Sequence, residues 1–413
     1  MEVYRGRASC SNALVRPASV GAVSTPSRRS SRWRETTRRR RRLRAEEARA
    51  TTTTLAAGEG EGDSDGSFDH VMMADLGTAD LASLVASNKY KGWLLDQFGV
   101  LHDGKDPYAH AKDLVRHLAE DLKCDLVILT NSARLWPHTV RRLEQMGFDP
   151  KWFRGVATSG DVTNRVLQLG PGAHDEELLP RDHPLWADLS LPAGEQGRNR
   201  RCLHLLWREH DKENGIDLEA LGIDVTEDPH MADFVLVHWF DSLALEDGTL
   251  RPVSREEISA MLAECAKREL PMLVANPDIV AHKGDKLLPM PGSLAVEYAE
   301  LGCPAEKIHL LGKPSPVVYN LAKTKFLSHL SKEEIIAVGD SLEHDIQGAC
   351  GWRVDSAFIT TGIHCDDLQG EECSIPEDAW CDPQELERLC REHNADPTIC
   401  AEVFGLYDSR DER

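Results

Sequence analysis

The chain has 413 residues and a formal net charge of -21 at pH 7, with 41% hydrophobic and 28% charged residues. Such a length and composition suffice for a substantial core in two or three domains. A chain this acidic is a poor general nucleic-acid binder. Its longest apolar runs, such as "DLVILT" at Asp125–Thr130, are strand-sized and far below the about twenty apolar residues of a membrane-spanning helix. Neither a nucleic-acid partner nor a membrane is therefore predicted.

The start of the chain is charged oppositely to the rest. Residues 1–50 contain fourteen Arg and four Glu, so they carry +10 and leave -31 for the remainder. This segment is rich in Arg, Ser and Thr and runs into the spacer "TTTTLAAGEGEGDSDGS", which predicts an organelle transit peptide and disordered linker over residues 1–66. Chloroplast is preferred, with mitochondrion and cytoplasm as alternatives. A nuclear-import run or an RNA-binding arm are competing interpretations of Arg38–Arg42.

From about Asn88 onward, short apolar strands alternate with amphipathic helices, a rhythm typical of an α/β fold with a mainly parallel sheet. Strands are predicted at "GWLLDQF" (92–98) and "LVILTN" (126–131). Helices are predicted at Tyr108–Asp121 and Trp136–Met146, the second closed by Gly147 as a C-cap. These elements form the first part of an α/β core, assigned to residues 67–161.

The next stretch, residues 162–288, has strands of its own, "RCLHLLW" and "DFVLVHW". Because it interrupts the core, it is interpreted as an inserted α/β cap over the active edge. The core resumes over residues 289–370 with the strands of "IHLLGKPSP", "EIIAVGDSLEHDIQGA" and "SAFITTG". Residues 371–413 are assigned to a C-terminal extension. Its regularly spaced cysteines, with Cys365, are interpreted as free thiols, with a disulfide ladder or a redox switch as alternatives.

Polar residues follow four of the predicted strands where each strand ends: Asp96, Thr130, Lys313 and Asp340. In doubly wound sheets such residues gather at one edge, where ligands bind. A carboxylate, a hydroxyl, a lysine and an acidic pair at one edge suit phosphoryl transfer through a covalent aspartyl intermediate, which needs a nucleophile, a divalent cation and fixed donors.

In this scheme Asp96 attacks phosphorus. Asp96, the main-chain carbonyl of Phe98 and Asp340 hold Mg²⁺, which prefers oxygen ligands. Asp345, five residues beyond Asp340, orients Asp340 or binds a metal water. The alternative for Asp345 is an ordinary first-turn carboxylate that complements the helix dipole.

Thr130 and the Asn131 amide are predicted to donate to the phosphoryl oxygens, and Lys313 to bridge nucleophile and phosphate. Asn276 and Asp278 of "ANPD" are predicted to place the cap or the metal site. The alternatives are a turn cap for Thr130, a solvated helix-start residue for Lys313, and ordinary Asn-Pro-Asp turn chemistry.

Six motifs in order resemble those of the haloacid dehalogenase superfamily, class IIA: "DQFGVLHDG", "LTNSAR", "ATSGD", "ANPD", "LGKPSP" and "VGDSLEHDIQGA". Together they span about residues 88–365. The class includes sugar-phosphate, nitrophenyl-phosphate and pyridoxal-phosphate phosphatases. The resemblance implies a three-layer Rossmann-like core with a parallel sheet, a class II α/β cap, Mg²⁺ dependence and a small phosphorylated metabolite as substrate. Caps of this class often take part in dimer contacts, so it also implies a homodimer through the cap.

The first motif departs from the family pattern at Phe98. Active class IIA phosphatases carry there an aspartate that protonates the leaving oxygen and later deprotonates water. Similarity to a branch with an aromatic at this place followed by "GVLHDG" makes Phe98 a branch feature. General acid catalysis contributes about 10²- to 10⁴-fold in rate. His102 is one candidate replacement donor, against the alternative of an ordinary turn residue.

Three functions follow. The first is a Mg²⁺-dependent phosphatase. The second, favoured by Phe98, is a weak or inactive descendant that keeps the phosphate pocket as a sensor or scaffold. The third is carbon–halogen hydrolysis, because dehalogenases of the superfamily also place an aromatic two residues after the nucleophile. The cap and the acidic pair of "GDSLEHD" oppose that third function.

Overall fold

The computed structural model describes residues 81–191, 195, 197–208, 215–283, 286–368, 381 and 383–406, without the side chains of 282–287 and 366. The predicted transit peptide and linker, residues 1–66, lie outside these residues, as do 67–80 of the predicted core. No helix of the described part is both long and apolar enough to cross a membrane.

The strands are β1 Gly92–Leu95, β2 Asp125–Thr130, β3 Phe153–Thr158, β4 Arg200–Leu206, β5 Ile223–Val225, β6 Phe234–Val237, β7 Ser242–Ala244, β8 Leu250–Pro252, β9 Met272–Val274, β10 Val280–Lys283, β11 Lys286–Pro289, β12 Ile308–Leu310, β13 Ile335–Gly339, β14 Asp355–Ile359 and β15 Ile399–Ala401. The α-helices are α1 Leu81–Ser87, α2 Ala109–Arg116, α3 Trp136–Gln145, α4 Ser159–Gln168, α5 Pro184–Asp188, α6 Arg255–Lys267, α7 Gly292–Glu300, α8 Pro316–Phe326, α9 Gln347–Trp352, α10 Cys365–Leu368 and α11 Pro383–Glu392. Wider π-helical turns at His117–Asp121 and Leu342–Ile346 adjoin α2 and α9.

The first sheet has six parallel strands in the order β15-β14-β13-β1-β2-β3. Its central strands are buried on both faces. Trp93 and Leu95 pack into one hydrophobic cluster, whereas Leu94 packs into another. Alternate residues of a strand point to opposite faces, so layers cover both sides of the sheet. The predicted three-layer α/β core with a parallel sheet is confirmed.

The second sheet has seven strands, ordered β12-β9-β6-β4-β7-β8 with β5 paired to β4. It contains the two strands that the sequence assigned to the cap, β4 and β6, and a further two-stranded ribbon, β10–β11, follows β9. Buried residues of α6 and α7, among them Leu262 and Tyr298, pack in one cluster with this sheet. An α/β unit is therefore inserted between the strands β3 and β13 of the first sheet.

The insertion is longer than the sequence predicted. The predicted boundary at residue 288 is wrong, because β12 (Ile308–Leu310) pairs in parallel with β9 and so belongs to the second sheet. Residues of β12 are fully buried, and local apolar character does not show which of two sheets a strand joins. The chain returns to the first sheet through α8 and β13.

The C-terminal segment is part of the core and not an appendage beyond residue 370. Its strand β15 extends the first sheet beside β14. Phe404 is fully buried, and its ring lies 6.3 Å from that of Trp93 on β1. The described cysteines of this region, Cys365, Cys381, Cys390 and Cys400, are free thiols, as predicted; Cys373 lies outside the described residues.

Helix ends follow local chemistry. Thr158 caps α4 through a capping box with Asp161, which satisfies two of the free N–H groups of the first turn. Gly147, predicted to close α3, has φ +85° and follows the C-cap residue Met146. Only glycine adopts such a backbone without strain. Helix α8 begins at Pro316, with this proline in its first turn.

Candidate active site

A buried ion-pair network joins the predicted nucleophile Asp96 to the motifs "LGKPSP" and "VGDSLEHDIQGA". The Lys313 Nζ atom lies 2.7 Å from Asp96 Oδ1 and 2.7 Å from Asp345 Oδ1. The Lys313 side chain is 3% exposed, that of Asp345 6% and that of Asp96 13%. The structure therefore brings these three predicted residues together, with Asp96 as the one of the three that solvent reaches most.

The strand that leads to Lys313 belongs to a different sheet from the one predicted. Asp96 follows β1 and Asp340 follows β13, both in the first sheet. Lys313 follows β12, in the second sheet. The prediction that all four polar residues end strands of a single sheet is wrong for Lys313. The site lies where the carboxyl ends of strands from two sheets meet.

Asp340 completes an acidic group. The carboxylate oxygens of Asp96, Asp340 and Asp345 all lie within 4.8 Å of one another, and Asp340 Oδ2 accepts a hydrogen bond of 2.8 Å from the Ile363 N–H. A Cβ atom at Gly99, whose φ is +77°, would stand 1.9 Å from Asp340 Oδ2. Glycine is therefore required after Phe98, both for the backbone conformation and for the close approach of Asp340.

The charges in this group perturb one another. Burial raises the pKa of Asp96 to about 7, with Lys313 opposing the rise and Asp345 adding to it. Burial, and then Asp96 and Asp345, raise the pKa of Asp340 well above its ordinary value. Burial alone would lower the pKa of Lys313, but Asp345 and Asp96 outweigh it and raise that pKa. Three carboxylates share one buried ammonium, so the site is short of positive charge.

The Asn131 side chain ties the two sheets together beside this group. Its Oδ1 accepts the Lys313 N–H at 2.7 Å, and its Nδ2 donates to the Lys313 carbonyl at 3.0 Å and to Asp278 Oδ1 at 2.8 Å. Asp278 in turn donates its N–H to Asn276 Oδ1 at 3.0 Å. The side-chain amide of Asn131 is thus engaged in positioning Lys313, a role that the motif spacing did not reveal.

Thr130 ends β2, beside β1, as predicted. It is 7% exposed, and its Oγ1 accepts a hydrogen bond of 3.3 Å from the Ser132 N–H.

Asp278 is near enough to raise the pKa of Asp96. Asn276 and Asp278, which follow β9, therefore border the site.

Phe98 lies in the loop of the first motif, shortly after the end of β1. It is 37% exposed, and its ring meets that of His102 edge-on with centroids 6.0 Å apart. His102 is buried; its Nδ1 accepts the Gly104 N–H at 3.0 Å, and burial lowers its pKa to about 4. A neutral imidazole held in this way is a poor acid at neutral pH, which disfavours His102 as the replacement proton donor.

Sequence reasoning missed an aromatic group at the joint between the sheets. Ala133, within the second motif, packs with Trp207, Trp239 and Ala275, which lie just beyond the ends of strands of the second sheet. The Arg134 guanidinium lies 4.8 Å from the Trp207 ring centroid. Trp239 packs beside the site. A signal was present in the sequence, because Trp207 and Trp239 are the last residues of two predicted strands of the cap.

A divalent cation fits the acidic group. Asp96 and Asp340 offer hard carboxylate oxygens of the kind that Mg²⁺ prefers, and burial first and the neighbouring carboxylates second raise the pKa of each. The backbone at Gly99, next to the Phe98 carbonyl, lies against Asp340. Asp345 is committed to Lys313 and to the Ser341 N–H, which suits the predicted orienting role better than direct ligation.

This combination of a parallel α/β core, an inserted α/β unit and an Asp–Lys–Asp network defines a class of hydrolase. A sequence model described as haloacid dehalogenase-like hydrolase matches residues 93–177. A second model of HAD-hydrolase-like proteins matches residues 310–379. The chain is therefore similar to haloacid dehalogenase-like hydrolases in two segments that flank most of the inserted unit.

The chain is also similar to individual phosphatases and hydrolases. It is 22% identical to an acid sugar phosphatase of Staphylococcus epidermidis over 286 residues, which covers 68% of this chain and 92% of the relative. A haloacid dehalogenase-like hydrolase of Brucella suis superposes with a TM-score of 0.54 at 22% identity, over 78% of this chain and 98% of that one. A possible sugar phosphatase of Cytophaga hutchinsonii gives a TM-score of 0.56 at 17% identity, over 80% and 99%. The two structural likenesses bear on the fold alone.

Proposed function

We propose that this chain is a Mg²⁺-dependent phosphatase of a small phosphorylated metabolite that works through a phospho-aspartyl intermediate on Asp96. The observation that carries the proposal is the placement of Asp96 Oδ1 2.7 Å from Lys313 Nζ within a group of three carboxylates. A nucleophile, a fixed cation and an acidic cation site are the parts that phosphoryl transfer requires. The sugar-phosphatase relative adds support for phosphate esters as substrates.

In the first half-reaction an Asp96 carboxylate oxygen attacks phosphorus, and the bond from phosphorus to the ester oxygen breaks. Lys313 stays within reach of both the nucleophile and the transferring group and stabilises the developing negative charge. Thr130 lines the same edge as a donor to the phosphoryl oxygens. Asp96, Asp340 and the Phe98 carbonyl would hold Mg²⁺, which would supply further charge neutralisation. In the second half-reaction water attacks phosphorus and releases phosphate and the free Asp96 carboxylate.

Phe98 limits the ways in which the leaving oxygen can obtain a proton. A phenyl ring cannot donate one, so in this chain the proton comes from solvent or is not needed. Esters of acidic alcohols or phenols leave as stable anions and are turned over best, whereas simple alkyl phosphates are slow. A general acid accounts for about 10²- to 10⁴-fold in rate, which is the expected gap between the two substrate types beyond their intrinsic reactivity.

A second function is favoured by the same residue. Phe98 removes the acid while the rest of the pocket is intact, so a phosphate-binding sensor or scaffold is the alternative. Tight binding of a phosphorylated ligand without turnover distinguishes it from the enzyme.

The test is phosphate release from nitrophenyl phosphate by the full chain, with and without Mg²⁺, for wild type, Asp96→Asn and Phe98→Asp. Asp113→Asn, at an exposed position of α2, is the matched control. The proposal requires Mg²⁺-dependent turnover that Asp96→Asn abolishes and Asp113→Asn retains. Phe98→Asp should speed alkyl phosphates more than nitrophenyl phosphate. If the wild type releases no phosphate while Phe98→Asp does, the sensor is the better-supported function.

A further inference from the structure

A second cluster of metal-ligating side chains lies outside the acidic group, and three separate segments contribute to it. Glu343 lies on the π-helical turn Leu342–Ile346, within the motif "VGDSLEHDIQGA". His364 lies in the loop after β14, and His393 directly follows α11 of the C-terminal segment. All three are buried, with exposures of 8%, 1% and 9%.

The distances between donor atoms suit a shared ion. Glu343 Oε2 lies 3.1 Å from His364 Nε2, and Glu343 Oε1 lies 3.7 Å from His393 Nδ1. One ligand atom of each residue lies within 4.8 Å of the ligand atoms of the other two. A tetrahedral zinc ion with bonds of about 2.1 Å sets its ligands about 3.4 Å apart, a value between the two distances from Glu343. The 3.7 Å separation is too long for a hydrogen bond but spans an ion.

Two groups lie against the Nε2 atom of His364. Glu343 Oε2 lies 3.1 Å from this nitrogen and the Leu342 N–H lies 3.2 Å from it, and the Asp367 carboxylate lies 3.8 Å from Nδ1. The Nε2 atom and the Glu343 carboxylate oxygen, this close in a buried site, need either a shared proton or a cation between them. A carboxylate beside the distal nitrogen is also the usual neighbour of a metal-bound imidazole.

The chemistry of the donors selects the ion. Two imidazole nitrogens and one carboxylate oxygen form a set that Zn²⁺ takes with one position left for water, whereas Mg²⁺ prefers oxygen alone. Ser341 Oγ donates to Glu343 Oε2 at 3.1 Å and orients it from the opposite direction. We propose that Glu343, His364 and His393 bind one divalent transition-metal ion, with Zn²⁺ as the best fit.

The position of this zinc site gives it a structural role. His393 belongs to the segment that supplies the edge strand β15, and Glu343 lies three residues beyond Asp340. His364 follows Ile363, whose N–H binds the Asp340 carboxylate. A bound ion therefore fastens the C-terminal segment to the two loops that hold Asp340. The site is separate from the proposed Mg²⁺ site and does not depend on the phosphatase activity.

The experiment is a Co²⁺ titration of the chelator-stripped full chain in excess Mg²⁺, read by visible d–d absorption. The proposal expects a band that saturates at one equivalent, is displaced by Zn²⁺, and lacks the intense near-ultraviolet charge-transfer absorption of thiolate ligation. Zn²⁺, and not Mg²⁺, should raise the Tm. The His364→Gln and His393→Gln variants should each bind Co²⁺ at least tenfold more weakly, as read from this band. Asp340→Asn should bind Co²⁺ with the wild-type affinity.

His329→Gln is the matched control, because His329 is half exposed and paired with Asp125 outside the cluster. Folding of each variant is checked by circular dichroism. Should the two ligand variants not fold, the wild-type titration decides alone. Absence of a one-equivalent Co²⁺ band in the folded wild type overturns the proposal and leaves a proton-bridged network. A band that both ligand variants retain unchanged overturns it as well.

Discussion

Replacing Lys313 with methionine removes the only charge that the described structure places between Asp96 and Asp345. The Lys313 Nζ atom lies 2.7 Å from each carboxylate, and the side chain is 3% exposed. Methionine fills nearly the same volume without a charge, so the change leaves two buried carboxylates facing one another. Breaking a buried ion pair by removing one partner costs about 3–5 kcal/mol. We expect a loss of about 4 kcal/mol in the free energy of unfolding at pH 8, measured with chelator present.

The loss should depend on pH in one direction. Burial already raises the pKa of Asp96 to about 7, although Lys313 opposes that rise. Without Lys313 the pKa moves higher still. A carboxyl whose pKa is higher in the folded than in the unfolded state binds more protons when folded, so stability falls as pH rises through that range. The deficit of Lys313→Met is therefore largest above pH 7 and smallest near pH 5.

The assay is urea unfolding followed by far-ultraviolet circular dichroism at pH 5, 7 and 8. Lys105→Met, at an 87% exposed side chain, is the control and should change stability by less than about 0.5 kcal/mol. The double variant Lys313→Met/Asp345→Asn removes one stranded carboxylate and should recover part of the loss. The reasoning is refuted if Lys313→Met stays within about 1 kcal/mol of wild type at pH 8, or if its deficit does not shrink at pH 5.

Three further predictions concern other parts of the molecule. Gly99→Ala should reduce turnover about 10²-fold with unchanged circular dichroism, because its Cβ would stand 1.9 Å from Asp340 Oδ2. Gly170→Ala, with open space around the residue, is the control, and equal turnover of the two variants would contradict the reasoning. Burial lowers the pKa of His102 to about 4, so the unfolded chain takes up its proton first and stability falls as pH drops from about 6.5 to 4, by up to about 3 kcal/mol from this residue. His102→Asn should flatten that part of the pH–stability curve in urea unfolding, and an unchanged slope would count against it. Phe404→Ala should cost about 3–5 kcal/mol, because Phe404 is fully buried; a loss below about 1 kcal/mol in the same unfolding assay would mean that the C-terminal segment is dispensable.

The sequence by itself determined the fold class, the order of the main elements and most of the site. Apolar strands alternating with amphipathic helices predicted the parallel core, because the side-chain periods of strands and helices are local properties. Motif order predicted Asp96, Lys313 and Asp345, and these three residues meet in the structure. Gly147 was predicted as a C-cap from a single glycine after a helical pattern, which is again local chemistry.

Only the tertiary structure decided which sheet each strand joins. The strand Ile308–Leu310 reads like any core strand, yet it pairs with Met272–Val274 in the inserted sheet. Strand Ile399–Ala401 lies far along the chain and outside the recognised motifs, yet it completes the first sheet. Long-range packing and register determine which strands pair, and the sequence of an apolar strand does not identify its partner.

The same limit applies to side chains that meet across the fold. The bridging role of Asn131 depends on contact with Lys313 and Asp278, which lie 182 and 147 residues away along the chain. Glu343, His364 and His393 have no ligand spacing that a sequence pattern could reveal, because they come from three segments that only folding brings within reach. Local patterns determine which chemistry a chain carries, and the packing of distant segments determines which of those groups meet.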